Sequence, residues 1–122
     1  MRHEEDALQV QCVYWFRFQF RQYARLLHHS PTGGRRDARE AARFKEMGVQ
    51  PGFPDLVLMV PAGGYHALCV ELKTAKGRQS AYQKDYQARL TERGYLYVVV
   101  RSLRQFMAVI NDYLLASPRP EK

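Results

Sequence analysis

The sequence predicts an α/β sandwich in which a small mixed sheet is flanked by helices. Three observations lead there. A long N-terminal segment repeats apolar residues at helical spacing, two apolar runs of strand length bracket a pair of glycines, and the last third alternates helix, strand and helix. A chain of 122 residues suffices for one core and is short for two. Residues 1–116 therefore read as one domain and 117–122 (SPRPEK) as a flexible tail.

Taken in order, Glu5 to Leu27 reads as a long helix, because Val13, Phe16, Phe20, Ala24 and Leu27 form one apolar stripe. Leu8, Trp15, Phe18 and Leu26 make a second stripe on roughly the opposite side. A helix apolar on two sides needs two covers, supplied by later elements or by a second protomer. Between the stripes Arg17, Arg21 and Arg25 repeat every four residues, as a solvated ridge or as a ridge for phosphates. The Pro- and Gly-punctuated stretch His28 to Arg36 is expected to be a loop, entered by a short strand. Asp37 suits the N-cap of a short helix running to Met47 and ended by Gly48.

Two strands follow, Asp55 to Val60 and Ala67 to Lys73, joined by Pro61–Tyr65, whose paired glycines suit a hairpin turn. Their nearly unbroken apolar character belongs inside a layered arrangement. Ser80 to Arg93 reads as a helix, with Ser80 and Gln83 spaced as a capping box and Gly94 ending it. Tyr95 to Val100 is a further buried strand, and Leu103 to Leu115 an amphipathic helix.

Composition narrows the function classes. The net charge of +7 favours polyanionic partners, since each neutralised phosphate releases counterions. Cys12 and Cys69 lie in apolar segments and read as reduced core residues. No apolar run reaches bilayer length and no secretory leader is legible, so no membrane partner and an intracellular, cytoplasmic location are expected. The histidines and cysteines show no zinc spacing, and no Walker loop, GxGxxG fingerprint or nucleophile elbow occurs. No nucleotide cofactor is expected.

The candidate chemistry sits at Asp55, Glu71 and Lys73. Both carboxylates lie eight residues from Gly63, so a hairpin pivoting there sets them opposite one another. Two carboxylates so placed repel unless a cation or proton joins them. A hard divalent ion, Mg²⁺ or Mn²⁺, is the economical answer. Lys73 follows Glu71 by two and shares its face of the strand. Carboxylates, a metal and a lysine together suit phosphodiester hydrolysis. The bland alternative is a solvated Glu–Lys pair where a strand ends.

At these residues the chain resembles a known family. Gly52-Phe53-Pro54-Asp55 followed by Glu71-Leu72-Lys73 is similar to the PD-(D/E)XK nuclease superfamily, and more narrowly to its VRR-NUC branch. Further similarity lies in Glu5-Asp6-Ala7-Leu8-Gln9 of the first helix, in Gly33-Gly34-Arg35-Arg36, and in Gly77-Arg78-Gln79-Ser80 leading to Gln83. Together these span Glu5 to about Tyr113. Where the family tends to show Asn-Gly ahead of the arginine loop, this chain has Thr32-Gly33.

The resemblance implies a restriction-endonuclease-like fold and a metal-dependent endodeoxyribonuclease. It implies Glu5, Asp55, Glu71 and the backbone carbonyl of Leu72 as metal ligands, and Lys73 as the catalytic lysine. Gln83 would position Lys73 or the attacking water, or else simply complete the cap with Ser80. Arg17, Arg21, Arg25, Arg35, Arg36 and Arg78 are the expected DNA contacts. Small members of the family are often phage-associated, tend to be homodimers, and cut branched DNA such as Holliday junctions. Two other readings stay open at this point: a flap, single-strand or nicking nuclease, and a DNA-binding module without catalysis.

Overall fold

The computed structural model describes residues 2–30 and 38–116. The chain runs α1 (Arg2–Gln19), a 3₁₀ turn (Arg21–Leu26), β1 (Leu27–His29), α2 (Ala38–Glu46), β2 (Leu56–Leu58), β3 (Leu68–Leu72), α3 (Ala81–Glu92), β4 (Leu96–Val100) and α4 (Leu103–Asn111). A π-helical turn, Asp112–Ala116, extends α4. The four strands form one sheet in chain order. β1, β2 and β3 pair antiparallel and β3 pairs β4 in parallel, which requires the crossover that α3 supplies. The mixed sheet flanked by helices is the expected architecture.

The hairpin follows from its turn. Gly63 and Gly64 both adopt positive φ, 59° and 87°, between residues Ala62 and Tyr65 that bridge each other. Two consecutive positive φ values suit the twist of an antiparallel pair, and glycine reaches them without a Cβ clash. The resulting register, Leu56 on Val70, Val57 on Cys69 and Leu58 on Leu68, is symmetric about Gly63.

Alternation along the strands separates two faces. Leu56, Leu58, Leu68, Val70, Leu72 and Val100 enter one core with Cys12, Phe16 and Phe20 of the N-terminal segment and Phe106 and Ile110 of α4. Helices α1 and α4 pack together over that face. Asp55, Cys69, Glu71, Lys73 and Tyr97 have the opposite parity, towards the side that α3 covers. All five residues of β3 are buried, because both of its faces are covered.

The N-terminal helix is shorter than its periodicity suggests. Regular α-helix stops at Gln19, Phe20 leaves helical geometry (φ −126°, ψ 67°), and a 3₁₀ turn leads into β1. Phe20 stacks on Phe16 and meets the edge of Trp15, so its burial is retained while the chain turns to lay Leu27–His29 beside β2. The molecule itself covers half of the second apolar stripe, Leu8 and Trp15, and leaves Phe18 and Leu26 exposed. Trp15 packs edge-on against Phe106 of α4, and Leu8 packs against the same core.

Leu103 to Leu115 is helical as expected, and Tyr113 ties its end to β2 by donating its phenolic proton to the Val60 carbonyl at 2.6 Å. The proposed cap at Asp37, the loop Thr32 to Arg36 and the tail 117–122 lie outside the described residues. Among the described residues no helix is long and apolar enough to cross a membrane.

Candidate active site

Asp55 stands one residue before β2 and Glu71 near the end of β3. The ladder pairs Leu56 with Val70, so the next step along it sets Asp55 opposite Glu71. The expected juxtaposition is therefore present, and both side chains have the parity of the α3 side. Asp55 is fastened at once: its Oδ2 accepts the Leu72 backbone N–H at 2.6 Å, and His29 on β1 donates from Nδ1 to its carbonyl at 2.8 Å. The Leu72 N–H is thus engaged with Asp55, and what Leu72 has to offer an ion is its carbonyl.

The approach to Asp55 is shaped by Gly52. Its φ of +82° lies in the left-handed region, and a Cβ there would meet the Tyr82 backbone at 2.6 Å. Only glycine lets the Gly52-Phe53-Pro54 turn press on the start of α3 in this way. Phe53 then meets Tyr86 edge-on, closing the same contact from the side.

Glu71 is wholly buried, the one buried charged residue of the described chain. Its Oε1 accepts two hydrogen bonds, from Tyr97 Oη at 2.6 Å and from Gln79 Nε2 at 3.0 Å. Gln79 in turn donates to Gln87 Oε1 of α3 at 2.8 Å. Glu71 Oε2 is different: it is buried with no hydrogen-bond partner, and Lys73 Nζ stands 3.6 Å away. A buried carboxylate oxygen without a donor carries a desolvation cost that a cation would offset. Lys73 itself is mostly buried, and its backbone N–H donates to the Val100 carbonyl at 3.0 Å.

Electrostatics point the same way. Burial pushes the Asp55 carboxyl up to about 6; the Leu72 N–H opposes this, Glu71 and then Glu5 add repulsion, and His29 relieves a little. Glu5 is half-buried in the first turn of α1, so the helix brings a third carboxylate within electrostatic reach of Asp55. Burial, then the neighbouring Glu71 carboxylate, raises the Tyr97 phenol, which therefore stays protonated as a donor.

The donor set fits a hard divalent ion. Among the described residues no group of three or more His, Cys, Asp or Glu side chains is arranged to hold a metal unaided. Mg²⁺ and Mn²⁺ do not need one: Mg²⁺ is commonly held by one or two carboxylates with waters and substrate oxygens. Asp55 and Glu71 meet that requirement, with Glu71 Oε2 as the unsatisfied atom.

The other expected residues distribute as follows. Gln83 completes a capping box, its Oε1 accepting the Ser80 N–H at 2.8 Å while its own N–H donates to Ser80 Oγ at 3.1 Å. The glutamine on Glu71 is Gln79. Arg78 is exposed on the turn between β3 and α3, close in sequence to Lys73. Arg17 and Arg21 are exposed on α1 and the 3₁₀ turn, with Arg25 on the same turn. Arg35 and Arg36 lie outside the described residues.

Four contributors escape a reading of the sequence alone: His29, Gln79, Tyr97 and Arg101. Arg101 donates from Nη1 to the carbonyls of Thr74 and Gly77, each at 2.7 Å, and so clamps the turn that follows Lys73. Tyr97 had a signal, since a phenol inside the apolar run LYVVV needs a partner when buried. For Arg101 and Gln79 the partners are carbonyls and side chains that only the fold brings near.

Comparison with known proteins agrees with this geometry. The sequence profile of the VRR-NUC domain matches residues 1–103. A solved structure described as a VRR-NUC domain protein superposes with a TM-score of 0.79 at 32% identity, over 90% of this chain and 87% of that one. No curated protein matches the chain. With a matched profile over most of its length and a buried carboxylate–lysine site at the end of its central hairpin, the chain belongs to the VRR-NUC domain family and carries a nuclease-type domain.

Proposed function

We propose that this chain is a structure-specific endodeoxyribonuclease, using Mg²⁺ or Mn²⁺ to hydrolyse phosphodiester bonds of branched DNA such as four-way junctions. The observation that carries the reading is Glu71 Oε2, a buried carboxylate oxygen without a donor, lying across the ladder from Asp55 and 3.6 Å from Lys73.

Asp55 and Glu71 would hold the ion, with the Leu72 carbonyl and, directly or through water, Glu5 as further oxygen donors. A bound divalent ion supplies polarisation of the phosphate and acidification of a water. Lys73 orients the attacking water or stabilises the charge that develops on the phosphate. Tyr97 and Gln79 keep Glu71 in one rotamer by engaging its other oxygen. Arg78 on the rim, and Arg17, Arg21 and Arg25 along the N-terminal segment, are the candidate phosphate contacts. A two-fold pair of chains would suit paired cuts on a branched substrate. The face formed by Leu8 and Trp15 is spent on the core, so a second copy would dock elsewhere.

The test incubates purified protein with linear, nicked, flap and four-way-junction DNA in Mg²⁺, Mn²⁺ or EDTA. Metal-dependent cutting of junctions supports the proposal. Cutting of flaps or single strands alone would keep the nuclease and overturn the junction reading. Cutting that survives EDTA would overturn the metal centre.

A further inference from the structure

Away from the site, α1 shows solvent a second kind of surface. Val10, Tyr14 and Phe18 recur every four residues and so share one stripe, with Tyr14 and Phe18 67% and 71% exposed. This stripe lies on the far side of the helix from Cys12 and Phe16, which are fully buried. Tyr14, Arg17, Phe18 and Arg21 together line a shallow open depression. The Arg21 guanidinium sits over the Phe18 ring, 5.7 Å from its centroid.

The charge here is of one sign. The sequence has no Asp or Glu between Asp6 and Asp37. Among the described residues the ion pairs are Lys73–Glu71 and Arg89–Asp85, neither of which involves this face. Two exposed rings flanked by guanidinium groups without carboxylates match a polyanion that also offers flat apolar faces. Duplex DNA offers only the phosphates, because its bases are already stacked and paired. A second copy packed two-fold about this depression would bring guanidinium against guanidinium, with no acid within the patch to relieve it.

We propose that this face of α1 is a binding platform for unpaired nucleotides: Tyr14 and Phe18 stack exposed bases, and Arg17 and Arg21 neutralise the adjoining phosphates. One helical turn, about 6 Å, separates the two rings along the axis, so each takes its own base. The platform operates without metal and without cleavage; it shares Arg17 and Arg21 with the proposed substrate contacts and adds the two rings, which the hydrolytic reading does not use.

Its test is fluorescence anisotropy of the whole chain in EDTA, comparing a short oligothymidine with an abasic strand of the same length and charge. The expected result is binding of oligothymidine about tenfold tighter than of the abasic strand. Phe18→Ala and Tyr14→Ala should each lower oligothymidine binding part of the way and the double variant should reach the abasic level, whereas Arg17→Ala should weaken both strands. Both rings are exposed, so these variants should fold, as circular dichroism would check. Equal affinity for the two strands would overturn the platform. So would a Phe18→Ala variant that binds oligothymidine as wild type does while sedimenting as a monomer where wild type is a dimer, which would assign the face to a second copy.

Discussion

Tyr97 of β4 donates its phenolic proton to Glu71 Oε1 of β3 at 2.6 Å, and this contact leaves Oε2 as the only oxygen of Glu71 without a hydrogen bond. The two strands run in parallel with Cys69 beside Tyr97, so the phenol reaches diagonally along the sheet to Glu71. One carboxylate is thereby divided into a held oxygen and a free one. The free oxygen is the one beside Lys73.

Removing that donor should loosen the free oxygen. In Tyr97→Phe the ring still fills its space while Glu71 loses its shortest hydrogen bond. Partners of this kind typically change metal affinity 10–100-fold. We expect Mn²⁺ binding, measured by calorimetry on metal-stripped protein, to weaken about tenfold, with the folded content unchanged by circular dichroism. An unchanged affinity would mean that Tyr97 serves only packing.

Asp55 makes a prediction about pH. Its carboxyl is raised to about 6 in the folded, metal-free chain, above its ordinary value near 3.8. Between those values the folded state binds more protons than the unfolded state, so stability falls as pH rises through the window and levels off above it. The expected loss is on the order of 2–3 kcal/mol. Denaturant titrations of metal-free protein from pH 4 to 7 should show this decline, and Asp55→Asn should remove its Asp55 component. By the same sign, Mn²⁺ affinity should rise with pH up to about 6, because the ion displaces a proton.

Gly52 and Gly64 offer a matched pair. Both have positive φ, but a Cβ at Gly52 would meet Tyr82 backbone at 2.6 Å while one at Gly64 meets nothing within 4 Å. Gly64→Ala should cost about 1 kcal/mol, the conformational penalty alone. Gly52→Ala should cost distinctly more and also reduce cleavage, because the turn that places Asp55 must move off α3. Urea midpoints and cleavage rates for the two variants check this.

The glutamines separate a cap from a contact to the site. Ser80→Ala and Gln83→Ala each break the capping box and should lose about 1 kcal/mol, with cleavage within a few-fold of wild type. Gln79→Ala should lower cleavage further than Gln83→Ala, since Gln79 is the residue on Glu71. The reverse order would restore Gln83 to the catalytic role implied by family resemblance.

Much of this site was legible from the chain alone, for reasons that are local. Paired glycines set the hairpin, the hairpin sets its register, and the register puts Asp55 opposite Glu71. Ser80 and Gln83 announce a helix start because capping depends on neighbours three residues apart. What stayed hidden depends on distant partners. Tyr97 and Glu71 are 26 residues apart, as are His29 and Asp55, and neither spacing carries a periodic signal. The break after Gln19 was masked because apolar residues continue at helical spacing through the 3₁₀ turn, while pairing of Leu27–His29 with β2 redirects the chain. Phe18 shares its predicted stripe with Trp15, yet α4 covers Trp15 and leaves Phe18 exposed beside Tyr14.

Glu71 is the residue on which the proposed metal site most depends, and its charge can be removed without changing its shape. Single-turnover cleavage of a four-way junction in Mg²⁺ should be followed for wild type and Glu71→Gln, with junction affinity measured alongside in EDTA. The proposed metal site predicts at least about a thousandfold slower cleavage at nearly unchanged affinity, because the substitution would remove a charge that holds the ion and leave the phosphate contacts in place. Wild-type cleavage by Glu71→Gln would contradict it.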